Sequence, residues 1–248
     1  MPLRTNVIHN EDCLVTMGRI PDNSIDLVVT SPPYNKGWYA AKIRKTGATT
    51  WRNLDGRKIA YDVFADSAPP CEYEEWQRKV LEELLRIIKP SGSIFYNHKD
   101  ILYKGHIVPP KWVYDFPVRQ QIVWNRKSSC QIGTRYFMPA HEWIYWICKD
   151  PKKLFFRKDR ALHRTNIWTM PFARKNPHPA PFPTELADNC VLTCCPPNGI
   201  VYDPFMGSGS TAVSAAKFGA RYIGSEISAD YCEMAYKRIH DEEKIRLS

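Results

Sequence analysis

The chain has 248 residues, 44% of them hydrophobic, which is enough to bury a sizeable core in one domain spanning residues 1–248. It contains no run of about 18 apolar residues, and its amino terminus lacks the apolar core of a signal peptide. These absences argue against an integral membrane protein or an exported one. We therefore expect a cytoplasmic protein with no membrane partner.

The formal net charge is +9, and the positive charge is concentrated in two segments. Residues 36–58 contain seven basic residues and one acid, and residues 149–175 contain nine basic residues and two acids. Concentrated positive charge favours a polyanionic partner such as nucleic acid. Two solvated basic loops would give the same pattern, so charge alone leaves both interpretations open.

The eight cysteines are scattered along the chain and form no Cys-x-x-Cys pair, which zinc sites and redox motifs commonly use. Cys190 and Cys194 have helical spacing, but no second pair of ligands accompanies them. We expect reduced, mostly buried cysteines and no bound metal.

The first predicted elements are a short strand at residues 6–9, a helix at 13–20 and a strand at 25–30. This second strand is an apolar, β-branched run, and Ser31-Pro32-Pro33-Tyr34 follows it directly. Pro33 lacks an amide proton and restricts Pro32, so the strand ends abruptly. Open α/β sheets bind ligands at the carboxyl ends of their strands, which makes this tetrapeptide a candidate site.

The middle of the chain is predicted to contain a long loop, one helix and three strands. Residues 34–70 lack periodicity and are predicted as the loop, and loops of that length are usually functional or mobile. An apolar residue recurs every fourth position from Trp76 to Ile88, followed by Pro90, which predicts a helix over 72–89. The predicted strands are 93–97, 120–124 and 142–147.

The last third is predicted to continue the alternation of helices and strands. The predicted elements are a helix at 184–195, a strand at 200–203, a helix at 208–218, a strand at 221–225 and a helix at 229–245. Alternating strands and helices predict an α/β fold with a doubly wound, mostly parallel sheet.

A glycine-rich turn joins the strand at 200–203 to the helix that follows. Gly207, Gly209 and Ala212 have the spacing of a nucleotide-binding turn, but the lysine of a phosphate-binding loop is missing, which argues against an NTPase. Glu226 ends the next strand, where a carboxylate typically binds ribose hydroxyls. This unit lies near the carboxyl end of the chain, so amino-terminal strands must complete the sheet, in a circularly permuted order.

In this order, the two motifs resemble those of the amino-group DNA methyltransferases that use S-adenosylmethionine, specifically their permuted beta class. Residues 30–34 resemble the catalytic motif of that family, and residues 203–209 resemble its cofactor motif. The resemblance implies a Rossmann-like methyltransferase fold, S-adenosylmethionine as cofactor and double-stranded DNA as partner. Enzymes of this kind belong to modification systems and can be paired with a cognate restriction endonuclease.

The resemblance also implies specific cofactor contacts. Asp12 is similar to the residue that contacts the cofactor adenine, and Glu226 is similar to the ribose-binding acid. His178 to Pro183 resembles the segment that packs along the methionine end. The implied cofactor-binding residues are Asp12, Cys13, Phe182, Pro183, Asp203, Phe205, Gly207, Ser208, Gly209, Thr211 and Glu226.

The catalytic residues predicted on this basis are Ser31, Pro32, Pro33 and Tyr34. The exocyclic amine of a base is a poor nucleophile because its lone pair is delocalised into the ring. The Ser31 hydroxyl and the Pro32 carbonyl are the expected acceptors for its two protons, with the prolines holding the carbonyl in position. Tyr34 is expected to stack on a base that has left the duplex. Serine at the first position favours N4 of cytosine over N6 of adenine.

Other functions remain open at this point. Related tetrapeptides serve methyltransferases that act on RNA or on protein glutamine, and a non-catalytic DNA-binding module could retain the fold. Cys195-Pro196 superficially suggests the nucleophile of cytosine C5 methyltransferases, but those enzymes have Pro-Cys order on a loop, whereas Cys195 ends a predicted helix. We do not expect it to be catalytic.

The two basic segments supply the predicted DNA contacts. We expect residues 34–71 to be a DNA-facing loop and residues 149–177 to be an inserted target-recognition region that contacts phosphates and base edges. Trp168 is a further candidate in this region. The predicted DNA-binding residues are Lys36, Trp38, Arg44, Arg52, Arg157, Arg160 and Arg164.

Overall fold

The computed structural model describes residues 3–43, 66–128, 136–171 and 182–247. An eight-stranded sheet forms the centre of the fold, in the order β1-β10-β9-β2-β3-β7-β6-β8, and a separate hairpin pairs β4 with β5. The strands are β1 Val7–His9, β2 Ile25–Thr30, β3 Ile88–His98, β4 Ile101–Tyr103, β5 His106–Val108, β6 Val118–Asn125, β7 His141–Ile147, β8 Ile167–Thr169, β9 Ile200–Asp203 and β10 Arg221–Ser225.

The α-helices of the described residues flank this sheet. They are α1 Cys13–Arg19, α2 Lys36–Ile43, α3 Pro70–Ile87, α4 Thr184–Cys194, α5 Ser210–Lys217 and α6 Ala229–Leu247. Short 3₁₀ turns occur at Lys111–Asp115 and Lys158–Arg160. No helix among the described residues is both long and apolar enough to cross a membrane.

The sheet is mostly parallel, as predicted. The five strands from β1 through β3 in the sheet order run parallel, β7 is antiparallel to both of its neighbours, and β8 is parallel to β6. Strands from the two ends of the chain lie side by side, since β10 and β9 are inserted between β1 and β2. Amino-terminal strands therefore complete the sheet, as predicted.

Alternating side chains of β2 pack into two core layers. Leu27 and Val29 lie in the cluster that includes residues of α4, α5 and α6, whereas Val28 lies in the cluster that includes residues of α1 and α3. This is the period-2 alternation of a strand, with both faces covered because helices pack on each side. A central strand with no exposed face explains why residues 25–30 read as a continuous apolar run.

The predicted helices and strands of the core are confirmed, with small shifts at their ends. The largest shift is in β3, which begins at Ile88 and not at the predicted residue 93. Helix α5 begins at Ser210 and not at the predicted residue 208, because Gly207 and Gly209 adopt positive φ angles of 51° and 84°. A backbone in the left-handed region cannot continue a right-handed helix, so the turn occupies the first two predicted positions.

Two predictions about the basic segments were wrong. Residues 36–43 form a helix inside the predicted loop 34–70, and β8 forms inside the second basic segment, where no strand was predicted. With only three residues, β8 is too short to show periodicity, and pairing with Val123–Asn125 of β6 stabilises it. Residues 44–65 and 172–181 lie outside the described part of the chain.

Candidate active site

A buried aspartate joins the two predicted motifs at the carboxyl edge of the sheet. Thr30, the last residue of β2, donates a hydrogen bond from its hydroxyl to Asp203 Oδ1 at 2.8 Å, and Thr211 donates to Asp203 Oδ2 at 2.7 Å. The Phe205 amide donates to Oδ1 at 3.0 Å. Burial raises the pKa of Asp203 to about 6, against the lowering effect of these hydrogen bonds. At 1% exposure, its carboxylate holds the loop and does not line the site surface.

The glycine turn itself is held by the predicted ribose-binding acid. The Gly207 amide donates to Glu226 Oε2 at 2.8 Å, and the Ser228 amide donates to Oε1 at 2.9 Å. A Cβ on Gly209 would lie 2.7 Å from the Ala235 Cβ, so this glycine is required by close packing on α6 as well as by its φ angle. Burial raises the pKa of Glu226.

The other predicted cofactor residues meet at the same edge. Asp12 caps α1 by accepting a hydrogen bond from the Leu14 amide at 2.8 Å, and Cys13 behind it is 3% exposed. The Glu226 amide donates to the His9 carbonyl at 3.0 Å, which places the start of α1 beside Glu226. The Phe205 ring packs edge-on against Trp76, with centroids 5.6 Å apart.

An arginine that sequence reasoning missed connects two of the predicted cofactor segments. Arg238 of α6 donates to the Ser208 carbonyl, to Ser208 Oγ at 3.0 Å and to Thr184 Oγ1 at 3.4 Å. Ser210 Oγ donates to the Phe182 carbonyl at 3.2 Å, and Pro183 directly precedes α4. Burial lowers the pKa of Arg238. No pattern in the sequence marks this residue, because its role depends on how α6 packs behind the turn.

The donor set of this edge fits S-adenosylmethionine. Each carboxylate oxygen of Glu226 accepts one backbone N–H and retains a lone pair that can accept from a ribose hydroxyl. Asp12, Phe205 and Phe182 supply an acidic acceptor and aromatic surface on either side of the turn. When bound, the cofactor supplies an electrophilic methyl group.

The catalytic tetrapeptide lies next to this turn, because Thr30 precedes it and bonds to Asp203. Ser31 and Pro33 are partly buried, and Pro32 and Tyr34 are buried. The Tyr73 hydroxyl of α3 donates to the Pro33 carbonyl at 2.7 Å and lies 2.9 Å from His98 Nε2. Because the Pro33 carbonyl takes the single Tyr73 proton, His98 Nε2 is assigned as the donor to Tyr73, while His98 Nδ1 lies 2.9 Å from both the amide nitrogen and the carbonyl oxygen of Lys99.

The Tyr34 hydroxyl is the centre of a buried network. It lies 2.7 Å from Ser31 Oγ, 2.8 Å from Asn97 Oδ1 and 3.0 Å from Glu142 Oε2. Glu142 Oε1 accepts from Arg126 at 2.8 Å, and Arg126 also donates to the Pro139 carbonyl at 2.7 Å. Sequence reasoning named none of these partners, because they come from β3, from β7 and from the residue just after β6.

Positive charge surrounds the Tyr34 ring. The Lys36 Nζ lies 5.2 Å from the ring centroid and the Lys99 Nζ lies 5.7 Å from it, while the His98 ring is tilted at 4.9 Å. The ring is 6% exposed, so stacking of a base on Tyr34 requires the lysine side chains to move. Base stacking by Tyr34 stays a prediction.

The predicted DNA contacts are divided between the two ends of the strands. Lys36 and Trp38 lie on α2, just after the catalytic segment, and Arg44 and Arg52 lie outside the described residues. Arg164 follows His163, which bonds Glu185 in the first turn of α4 at 2.9 Å, whereas the Arg157 amide bonds Thr193 in the last turn at 2.8 Å. Arg157 thus lies far from Ser31.

Two further sequence predictions have a structural outcome in this region. Arg160 is exposed and lies 3.7 Å from Asp159, which also pairs with Arg157 at 3.1 Å. The prediction that Trp168 contacts DNA was wrong: it is 4% exposed, and its indole N–H donates to the Thr165 carbonyl at 2.9 Å. Trp168 is a core residue because β8 turns it inward.

Cys195 is buried, with 8% exposure, and burial raises its pKa to about 12. A thiol in this state is not a nucleophile near neutral pH, in agreement with its predicted lack of a catalytic role. Among the described residues, no group of three or more His, Cys, Asp or Glu is arranged to hold a metal ion.

A mainly parallel sheet with a glycine turn, a carboxylate that holds this turn and a Ser-Pro-Pro-Tyr segment at one edge defines a methyltransferase that uses S-adenosylmethionine. The particular family follows from the sequence: the model of the N6 and N4 DNA methylases matches residues 25–237, and the chain belongs to that family. It is an amino-group DNA methyltransferase.

Curated relatives span nearly the whole chain. Type II methyltransferase M.BglII of Bacillus subtilis is 30% identical over 96% of this chain and 69% of its own length. DNA adenine methyltransferase YhdJ of Escherichia coli K12 is 27% identical over 94% of this chain and 82% of its own length.

Solved structures share the fold. The cytosine-N4-specific PvuII DNA methyltransferase superimposes with a TM-score of 0.74 at 19% identity, covering 98% of this chain and 91% of that one. TTHA0409 of Thermus thermophilus, complexed with S-adenosyl-L-methionine, superimposes with a TM-score of 0.63 at 22% identity, covering 95% of each chain.

Proposed function

We propose that this enzyme methylates N4 of cytosine in double-stranded DNA, with Ser31 accepting a hydrogen bond from the target amine. The observation that carries the proposal is the hydrogen bond between Ser31 and Tyr34, whose oxygens lie 2.7 Å apart and whose direction we infer from the surrounding groups. A hydroxyl can donate or accept, so the distance alone does not give this direction. The other partners of the Tyr34 hydroxyl determine it.

The amide of Asn97 has one orientation that satisfies its neighbours. Its Nδ2 lies 2.9 Å from the Trp143 carbonyl, which can only accept a hydrogen bond. Asn97 therefore presents Oδ1 to Tyr34, and Glu142 presents a carboxylate oxygen to the same hydroxyl. Tyr34 has a single proton, and that proton must go to one of these two acceptors.

We infer that Ser31 is the donor in its bond to Tyr34, since the Tyr34 proton is taken up by one of these acceptors. With its own proton directed inward, Ser31 Oγ has only lone pairs to offer on the open side of the site. These lone pairs suit an exocyclic N–H, and accepting that proton localises the lone pair of the amine on nitrogen. Pro32 is the proposed second acceptor, and correct positioning of the amine supplies most of the catalytic effect.

The choice of cytosine rests on serine at position 31, which resembles the N4-cytosine enzymes. The second candidate is N6 of adenine, supported by the similarity to YhdJ, a DNA adenine methyltransferase. Both amines present the same two protons to Ser31 and Pro32. The choice between cytosine and adenine therefore depends on whether the site accommodates the single ring of a pyrimidine or the two rings of a purine.

Nucleoside mass spectrometry of DNA incubated with the enzyme and S-adenosylmethionine tests the base directly. PCR-amplified genomic DNA is a suitable substrate, because it is unmethylated and contains many sequence contexts. We expect N4-methylcytosine. N6-methyladenine instead would assign the activity to the second candidate, and the absence of both products with a folded, cofactor-binding protein would overturn the proposal.

We further propose that DNA binds at the sheet edge that carries Ser31 and is contacted by both basic segments, residues 34–71 and 149–177. Lys36 and Lys99 bring positive charge to within 6 Å of the Tyr34 ring. These charges suit the phosphates that flank an extruded nucleotide. Lys36, Trp38, Arg160 and Arg164 are the proposed described contacts, and Arg44 and Arg52 are proposed from sequence alone.

A further inference from the structure

We propose that Glu142 receives the proton that the target amine loses, through a chain of hydroxyls formed by Ser31 and Tyr34. This inference rests on the proposed function, since it concerns the amine that Ser31 accepts. In methyl transfer, the amine nitrogen uses its lone pair to form the new N–C bond, while the electron pair of the methyl–sulfur bond leaves with sulfur. The methylated nitrogen then carries one proton too many.

The three protein groups are already in contact in the order that a proton transfer requires. Ser31 Oγ lies 2.7 Å from the Tyr34 oxygen, and that oxygen lies 3.0 Å from Glu142 Oε2. The amine proton passes to Ser31 Oγ as the serine proton passes to Tyr34 and the tyrosine proton passes to Oε2. Ser31 and Tyr34 each carry the same number of protons after the transfer as before it. The amine becomes neutral, and the Glu142 carboxylate becomes a carboxylic acid.

Glu142 is the only one of the two Tyr34 acceptors suited to keep the proton. Asn97 Oδ1 is an amide oxygen, which does not hold a proton in water near neutral pH, whereas a carboxylate does so within a few pH units of neutrality. Asn97 instead fixes the direction of the hydrogen bonds that link Ser31, Tyr34 and Glu142. Its Nδ2 bond to the Trp143 carbonyl keeps Oδ1 facing Tyr34.

Arg126 holds Glu142 in place before the reaction. It bonds the other carboxylate oxygen, Oε1, at 2.8 Å, so Oε2 is left for Tyr34. Arg126 and Glu142 are each 7% exposed, and a charged pair at this depth needs such direct contacts. When the product leaves, Ser31 faces water again and the same chain returns the proton to solvent. Glu142 is therefore a positioning and proton-accepting residue that acts through Tyr34.

The test compares Glu142→Gln, Tyr34→Phe and the double variant in single-turnover transfer of labelled methyl groups to PCR-amplified genomic DNA. Glutamine keeps the size of Glu142 but takes no proton, and phenylalanine removes the intermediate hydroxyl. We expect each single variant to lose roughly 10- to 100-fold in rate, as general base catalysis commonly contributes. We expect the double variant to be no slower than the slower single variant, because both changes break one path.

Two readouts separate this role from a purely structural one. The dissociation constants for S-adenosylhomocysteine and for DNA should stay within about twofold of the wild-type values. The solvent isotope effect should curve with deuterium fraction in the wild type, since several protons move together, and become linear in both single variants. Asp188→Asn is the matched control: Asp188 is also buried and paired, with Lys217 at 2.7 Å, but lies outside the site.

If Glu142→Gln does not fold because the buried charge of Arg126 has lost its ion pair with Glu142, the double variant Arg126→Met and Glu142→Gln removes both charges and takes the place of Glu142→Gln in the comparison. The proposal would be overturned if a folded variant that lacks the Glu142 carboxylate transferred methyl groups within threefold of the wild-type rate. Effects of Tyr34→Phe and Glu142→Gln that multiply in the double variant would also overturn it. Failure of the proposed function is distinct, because the wild-type enzyme itself would then methylate neither base.

Discussion

The cofactor turn and the catalytic segment lie at the same sheet edge, but they are stabilised by different kinds of contact. Several contacts of the turn join residues that are close in sequence: Asp203 and Thr211 are eight positions apart, and Gly207 and Glu226 are nineteen apart, while Thr30 joins the turn to β2 from 173 positions away. The catalytic segment is held by distant side chains, since Asn97 and Glu142 lie 63 and 108 positions from Tyr34.

The two regions therefore need different structural features in order to function. The turn needs backbone geometry that glycine permits and one carboxylate that accepts two amide protons. The catalytic segment needs a hydroxyl whose proton points inward, and that direction depends on the joint placement of three other side chains. We expect changes in the catalytic segment to alter chemistry and changes in the turn to alter cofactor binding.

The largest effect is expected from Ser31→Ala, which tests the catalytic region alone. The variant removes the proposed amine acceptor and should lower the methyl-transfer rate by about 100-fold or more, as loss of a transition-state contact commonly does. S-adenosylmethionine binding, measured by calorimetry, should be unchanged. Ser24→Ala is the control, because the Ser24 hydroxyl donates to the Pro21 carbonyl at 2.6 Å, outside the site. Unimpaired turnover in Ser31→Ala would refute the mechanism.

Glu226→Ala tests the cofactor region. The substitution removes the acceptor of two backbone amides and the proposed partner of the ribose hydroxyls. We expect the dissociation constant for S-adenosylmethionine to rise by about 10- to 100-fold, corresponding to the loss of one or two hydrogen bonds to a charged group. Glu233→Ala on the exposed face of α6 is the control. An unchanged constant by calorimetry would remove Glu226 from the site.

His98→Gln tests the support beneath the catalytic segment through pH. Burial, together with the positive charges of Lys99 and Lys36, lowers the pKa of His98 to about 3, against the raising effect of its bond with the Lys99 backbone. An unfolded histidine takes up a proton near pH 6.5. Between these two values the unfolded chain binds a proton that the folded chain does not, so stability is lost as the pH falls.

The contribution of His98 to this loss is at most about 1.4 kcal/mol per pH unit. We therefore expect the free energy of unfolding of His98→Gln to fall less steeply than that of the wild type between pH 6 and pH 4. Urea unfolding at several pH values measures the slope, and His106→Gln on the exposed β5 strand is the control. Parallel curves for wild type and His98→Gln would contradict the prediction.

The smallest effect is expected from a pair of arginines in the second basic segment. Arg164 lies near the first turn of α4 and Arg157 near its last turn, so only Arg164 is near the edge of the site. We expect Arg164→Ala to weaken DNA binding a few-fold and to reduce the salt slope by about one, as loss of one phosphate contact does. Arg157→Ala should do neither. Equal losses of DNA affinity in the two variants, measured by fluorescence anisotropy, would contradict this difference between Arg164 and Arg157.

Much of the cofactor region could be predicted from sequence because its contacts are local. The spacing of Gly207, Gly209 and Ala212 encodes a backbone shape, and Glu226 follows at the end of the next strand. The supporting residues could not be predicted this way. Arg238 reaches Ser208 only because α6 packs behind the turn, and Gly209 meets Ala235 there at a distance that leaves no room for a Cβ.

The catalytic segment shows the same limit more strongly. Ser31, Pro32, Pro33 and Tyr34 are recognisable as a motif, but their neighbours in space belong to β3, to β7, to α3 and to the residue after β6. The errors also have physical causes. Helix α2 lacks a clear apolar period, and β8 exists because a neighbouring strand completes its hydrogen bonds, so neither leaves a strong local signal.

The sequence by itself determined the α/β architecture, the order of the two motifs and the family to which they belong, because periodicity, proline and glycine act on the backbone locally. Only the tertiary structure decided which side chains support Ser31 and which acceptors surround the Tyr34 hydroxyl. Hydrogen-bond direction depends on all the partners of a group at once, and the partners of Tyr34 are brought together only when the strands β3, β6 and β7 pair.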